Sequence, residues 1–308
     1  MGSSSSPAVE PLEPLEQVAV RVRTALETAK QAHLLHPAPP PERAEKFFRE
    51  VDALDFAALR ATFDRSMSGV SARDDAQVTP FEGVTLVDDL VEAAALRASG
   101  LTLISQGKVA ALLLAGGQGT RLGSTAPKGC YDIGLPSHKS LFQYHAEKVM
   151  AVRRLAAAHS GKRAQDVRLP LLVMTSEATR DATHGFFASN GFFGLDEAQV
   201  VFFEQDMLPC MSLEGDLMLS GPGQLAVAPN GNGGVYVSLH RLGILNDLKE
   251  QGVTSVFQFG VDNVLCHVAD PLFIGFCDAR CADCGVKTVG KRDAHEKVGV
   301  LALTDGRA

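Results

Sequence analysis

Five glycines, an arginine and a lysine crowd into LLLAGGQGTRLGSTAPKG, residues 112–129. An apolar run ends at Leu114, and Gly116, Gly117 and Gly119 follow at once. Glycines at such a place let main-chain N–H groups close around phosphate oxygens without a Cβ in the way. Arg121 and Lys128 put two cations within reach of the same anion. The chemistry this points to is the holding of a nucleoside triphosphate. Two other phosphate loops do not fit. A Walker A loop needs Lys and then Ser or Thr after its last glycine, but Ser124 follows Gly123. A dinucleotide fingerprint needs G-x-G-x-x-G opening a helix. The spacing after Gly117 and Gly119 misses that by one, and Pro127 soon interrupts. Asp262 closes the run TSVFQFGV. A carboxylate at a strand's carboxyl end can take one position on Mg²⁺ whose other ligands are phosphate oxygens and water, or it can cap the strand end.

Other candidates are weaker. Cys277, Cys281 and Cys284 have the spacing of a radical SAM iron–sulfur motif. That motif normally opens a barrel and carries an aromatic residue before its last cysteine, where this chain has Asp283 near its end. Zinc would need a fourth ligand, for which only His267 or His295 offers itself. His138, His145 and His184 have no nucleophile beside them in sequence and read as surface or core histidines.

The elements that must position these residues follow from hydrophobic patterning. VAALLLAGG reads as a strand buried on both faces of a parallel sheet. Comparable runs recur at 169–176, 199–205, 254–263 and 298–303, with helical stretches such as 139–158 and 235–250 between them. The alternation predicts an α/β fold with a doubly wound, mostly parallel sheet, whose ligand lies outside the strands' carboxyl ends. Residues 14–36, a helix capped by Asp55 and a helix over 87–104 make the first hundred residues helical, with no convincing strand. The expected division is a disordered leader at 1–13, a helical region at 14–105, and the sheet domain at 106–308.

Composition narrows the function. With 308 residues, 45% hydrophobic, the chain can bury a substantial core. Its net charge of −7 argues against a nucleic-acid surface. No apolar run reaches the ~20 residues of a membrane span. The opening MGSSSSPAVEPLEP lacks the basic and apolar regions of a secretory signal, so a cytoplasmic location is expected.

AGGQGTRLG followed by PKGCYDIGLPS resembles the eukaryotic UDP-N-acetylhexosamine (UDP-N-acetylglucosamine) pyrophosphorylases. The likeness continues through VMTSE, FFEQDMLPCMS, APNGNGGVY, GVDNVL, ADPLFIGFC and ADCGVK, in family order over roughly residues 108–303. It implies a Rossmann-like nucleotidyltransferase domain that transfers uridylyl from UTP to N-acetylglucosamine 1-phosphate or another N-acetylhexosamine 1-phosphate. The alternative is a silent uridine-nucleotide-binding relative. The resemblance places Leu114, Ala115, Gly116 and Gly117 around the nucleotide and makes Asp262 the ligand of Mg²⁺ (or Mn²⁺). Arg121, with its fork, suits the departing pyrophosphate, and Lys128 suits the α-phosphate. Gln205 matches the imide edge of uracil, while Gly231 and Asn232 of the PNGNGG turn offer hydrogen bonds to ribose or phosphate. The family usually has Asp where this chain has the neutral Asn230. It carries cysteines at the places of Cys277 and Cys284 with no cluster. Its members are also longer, so the domain is expected to be incomplete at its C-terminal end.

Overall fold

The computed structural model describes residues 13–68, 78–81, 83–119, 123 and 125–304. In chain order the helices are α1 (Leu15–Thr28), α2 (Pro41–Asp52), α3 (Phe56–Ser68), α4 (Ala93–Ser105), α5 (Leu141–Ser160), α6 (Arg180–Ser189), α7 (Gly234–Arg241), α8 (Ile244–Glu250) and α9 (Pro271–Ala279). The strands are β1 (Val78–Pro80), β2 (Val109–Leu114), β3 (Leu171–Thr175), β4 (Val200–Glu204), β5 (Met207–Pro209), β6 (Leu219–Gly221), β7 (Gln224–Leu225), β8 (Val227–Pro229), β9 (Ser255–Gly260) and β10 (Ala302–Thr304).

Two compact units divide the chain: Met1–Phe81 with Met207–Ala228 and Leu301–Ala308, and Glu82–Asp206 with Pro229–Val300. The division falls at residue 82 rather than near 105, because α4 packs on α5 and α9 inside the second unit. The leader lies outside the described residues except for Glu13.

The second unit is built on a parallel sheet of strand order β4-β3-β2-β9. The chain winds from β2 through β3 to β4 on one side and returns to place β9 on the other side of β2. This is the doubly wound arrangement that the alternating runs predict. Its switch point lies between β2 and β9, where open α/β sheets bind ligands. Strand alternation sorts the core into two layers. Val109, Ala111 and Leu113 face a cluster that includes Ile104, Phe142, Phe187 and Ile274. Ala110 and Leu112 face Leu172, Met174, Val235 and Leu248. Both faces of β2 are therefore covered, which explains its unbroken apolar sequence.

Local signals set the helix ends. The Ser140 hydroxyl accepts from Gln143 N–H at the start of α5 (3.2 Å), and the Asp270 carboxylate accepts from Leu272 N–H at the start of α9 (3.0 Å), where Pro271 takes the first helical position. The stretch 235–250 is two helices and not one, broken at Gly243, whose φ of 73° leaves the helical region. Residues 87–89 form a separate short 3₁₀ turn before α4.

In the first unit α1 and α2 enclose Val18, Val22, Leu26, Phe47 and Val51, joined by Leu217 and Leu225 from the 207–228 hairpins. The buried Gln31 amide binds Gly215 O and Leu217 N, tying those hairpins to the helices. A strand does occur here: β1 pairs antiparallel with β10. Of the run at 298–303, expected in the parallel sheet, only Ala302 and Leu303 enter a strand, and with Thr304 they supply that partner instead. Asp55 caps α3 as its sequence predicts, its carboxylate accepting from Ala58 N–H at 2.9 Å. Because α3 buries no side chain fully, Asp55→Ala should fray the helix locally at a cost of about 1 kcal/mol. Faster hydrogen exchange confined to residues 56–60 would show it.

Candidate active site

The glycine loop leaves the sheet from the end of β2, held on both sides. Val261 N–H donates to Leu114 O (3.0 Å) and Ala115 N–H to Met174 O (2.8 Å), so β3 and β9 still bracket the chain as the glycines begin. The loop then doubles back on itself. Gly119 N–H donates to Ala126 O, Lys128 N–H donates to Gly117 O (3.1 Å), and Gln118 bridges Pro127. Lys128 therefore returns beside Gly117, eleven positions earlier in sequence. Among the described residues nothing lies within 4 Å of where a Gly117 Cβ would stand. Arg121 lies outside the described residues.

The Lys128 ammonium donates to Asp262 Oδ2 at 3.0 Å. This bond holds the Asp262 carboxyl below the usual carboxylate range, with burial opposing it. Among the described residues no group of three or more His, Cys, Asp or Glu is gathered to hold a metal. Asp262 brings a single hard oxygen donor to the loop. That suits a divalent cation only if phosphate and water complete its shell, which is the pattern of nucleotide-bound Mg²⁺.

Gln205 sits one residue past β4, its N–H donating to Thr175 O (2.9 Å) and its side chain buried. The amide lies against Gly116: a Cβ there would stand 2.8 Å from Gln205 Nε2. The 230–233 turn is tied alongside, with Asn230 N–H donating to Asp206 O (2.9 Å). Asn230 folds its side chain onto Gly234, while Gly231 and Asn232 are exposed.

Residues 60–308 match the family described as UTP–glucose-1-phosphate uridylyltransferase. The chain belongs to this family. It is 42% identical to mouse UDP-N-acetylhexosamine pyrophosphorylase-like protein 1 over 299 residues, 92% of this chain and 58% of that protein. It is 45% identical to Saccharomyces cerevisiae UDP-N-acetylglucosamine pyrophosphorylase over 204 residues, 66% of this chain and 42% of that protein. The crystal structure of Trypanosoma brucei UDP-N-acetylglucosamine pyrophosphorylase in complex with inhibitor superposes with a TM-score of 0.80 at 30% identity, covering 97% of this chain and 61% of that one. The chain spans about half the length of the curated relatives it matches.

In this chain the sequence-predicted residues fall into two linked groups. Leu114, Ala115, Gly117, Lys128 and Asp262 gather at the switch point between β2 and β9, and Gln205 joins them through Gly116. Gly231 and Asn232 are brought to the same end of the sheet through Asn230, whose N–H donates to Asp206 O, and through α7, whose Val235 packs against β2 and β3. Sequence reasoning missed Asp206, the hub of that link. Its N–H donates to Ser238 Oγ (3.1 Å), and Arg241 donates to its carboxylate (2.5 Å). The signal was the three-residue spacing of Ser238 and Arg241, which sets both on one face of α7. Sequence reasoning also gave no role to His145, which is wholly buried and bonded to Val261 O at 2.8 Å. Since a carbonyl only accepts, Nε2 carries the proton, and burial pushes the imidazole pKa down. His138 and His184 are exposed. Burial also pushes the Cys130 thiol beside Lys128 up to about 11, leaving it a neutral packing group.

Gly116→Ala tests the contact with Gln205. The atom it strikes is the far end of a flexible side chain, so the melting temperature should stay near wild type while Gln205 is pushed aside. UTP affinity should fall about tenfold in a calorimetric titration. Unchanged affinity would show that the amide does not read the base.

Proposed function

We propose that this chain binds UTP across the glycine loop and transfers its uridylyl group to an N-acetylhexosamine 1-phosphate, with N-acetylglucosamine 1-phosphate the first substrate to test. The observation that carries this reading is the convergence of Lys128, Asp262 and Gln205 on Gly116 and Gly117 at the switch point of the sheet. The names of the relatives at 42–45% identity support the choice of sugar.

In this reading a phosphate oxygen of the sugar phosphate attacks the α-phosphorus of UTP in line. The new P–O bond forms as the bridge to the β-phosphate breaks, and pyrophosphate leaves with the bonding pair. No covalent bond to the protein is needed, so the residues act by position and charge. Leu114, Ala115, Gly116 and Gly117 line the nucleotide with main-chain groups. Gln205 meets both the acceptor and the donor of the uracil edge. Gly231 and Asn232 face the ribose or a phosphate. Lys128 neutralises charge at the α-phosphate, and Arg121 holds the pyrophosphate. Mg²⁺ (or Mn²⁺), held by one Asp262 oxygen, would supply further neutralisation of the triphosphate. The reading includes a cytoplasmic setting, supported by six cysteines that are all free. No helix among the described residues is long and apolar enough to cross a membrane.

Titration with UTP, ATP and GTP in the presence of Mg²⁺ tests base choice, and pyrophosphate release with UTP and N-acetylglucosamine 1-phosphate tests the reaction. UTP should bind clearly better than either purine nucleotide, and release should require both substrates. Equal affinities would overturn the assignment of Gln205. UTP binding without pyrophosphate release would overturn the transfer reaction.

A further inference from the structure

The segment that carries Asp262 is held from one side by a single helix. Val261 is fixed at both main-chain groups: its N–H donates to Leu114 O, and its carbonyl accepts from His145 Nε2. Further along, Val264 O and Cys266 O both accept from the Lys148 ammonium, the latter at 3.1 Å. His145 and Lys148 lie three residues apart on α5, and so on one face of it. Between their grips the chain closes two short turns, Asn263 N–H to Gly260 O and Val264 N–H to Asp262 O, which leave the Asp262 side chain directed at Lys128.

Both residues are costly choices for these places. His145 is completely buried, and its Nδ1 finds no partner among the described residues. Lys148 is half-buried and spends its charge on carbonyls. Packing alone would favour apolar side chains here, since His145 lies edge-on to Phe259 at 5.1 Å. What the two polar groups supply that an apolar pair would not is a fixed path for residues 261–266.

We propose that His145 and Lys148 are positioning residues for Asp262, a two-point clamp from α5 that holds its carboxylate at the mouth of the glycine loop. The inference rests on the reading of Asp262 as part of the nucleotide site. Its geometric half, the clamp itself, can be tested separately.

The chain is compared with Lys148→Met, Lys148→Arg and His145→Phe in two measurements. The first is amide hydrogen exchange. Lys148→Met and His145→Phe should each speed exchange over 261–266 by about tenfold or more while amides of β2 and β3 keep their wild-type rates. The second is calorimetric titration with UTP, in Mg²⁺ and in EDTA. Both variants should weaken binding in Mg²⁺ more than binding in EDTA, whereas Lys148→Arg, which reaches the same carbonyls, should restore both readouts. Wild-type exchange over 261–266 in both variants, or equal weakening in Mg²⁺ and EDTA, would overturn the clamp. Should Lys148→Met fail to fold, His145→Phe, which keeps the ring against Phe259, decides. A wild-type chain that binds UTP no better with Mg²⁺ sinks the metal role of Asp262, and the exchange data then judge the clamp alone.

Discussion

Lys128→Met is expected to lower uridylyl transfer by about 10²–10³-fold while leaving the melting temperature nearly unchanged. The stability half of this follows from exposure. Asp262 keeps 67% of its side-chain surface accessible, and an ion pair so wetted contributes little to folding. The catalytic half follows from placement: the lysine is folded back beside Gly117 by the loop's own hydrogen bonds, where the proposed reaction puts a phosphate. The substitution should also change the response to pH. Lys128 holds the Asp262 carboxyl below its ordinary range. The pair is therefore intact above that range and is lost as pH falls through the lowered value. Without Lys128 the carboxyl returns toward its ordinary range, so UTP binding that needs the carboxylate should begin to fail at a higher pH than in wild type. Titrations from pH 7 to about pH 4 would measure the shift. Asp262→Asn should abolish this acid limb altogether. A double-mutant cycle should give losses that do not add, because the two side chains touch. Wild-type turnover at saturating UTP in Lys128→Met would remove the lysine from the chemistry.

How much of this was legible in the sequence differs from element to element. The run VAALLL could be read as a buried parallel strand because both of its faces are apolar, and no exposed strand is written that way. The run at 298–303 carries the same kind of signal, but a short apolar run does not name its partner. Its partner, β1, lies more than two hundred residues earlier. The return of residues 207–228 to the first unit was hidden for a similar reason: its strands are two or three residues long, too short for any period. Gly243 did mark the break in 235–250, since glycine is the residue that most readily takes a positive φ. At the site, Lys128 and Asp262 could each be singled out by type and position. Their bond across 134 residues is a product of the fold. His145 and Lys148 gave no sign, because they act on main-chain carbonyls, which no side-chain pattern records.

Gly275→Ala should be among the most destabilising single-methyl additions in the sheet unit, at about 2–4 kcal/mol. A glycine inside an exposed helix normally gains about 1 kcal/mol on becoming alanine. Gly275 is denied that gain by α4. A Cβ there would stand 1.9 Å from Leu96 O and 3.0 Å from Gly100 N. The contact is reciprocal, since a Cβ on Gly100 would stand 1.9 Å from Pro271 O. These obstacles are backbone atoms, which cannot rotate away as a side chain can, so α4 and α9 would have to part. Parting them loosens Ile104 of α4 and Ile274 of α9, both in the core layer under β2. It also pulls on residues 261–270, which join β9 to α9 and carry Asp262. Denaturant unfolding should show a lower midpoint with an unchanged slope. Gly185 in α6 supplies the control, for no described residue lies within 4 Å of its Cβ position, and Gly185→Ala should be neutral or stabilise by up to about 1 kcal/mol. Equal stability of the two variants would mean that the helices separate without cost, and that the glycine crossing is not what holds α9 to the sheet.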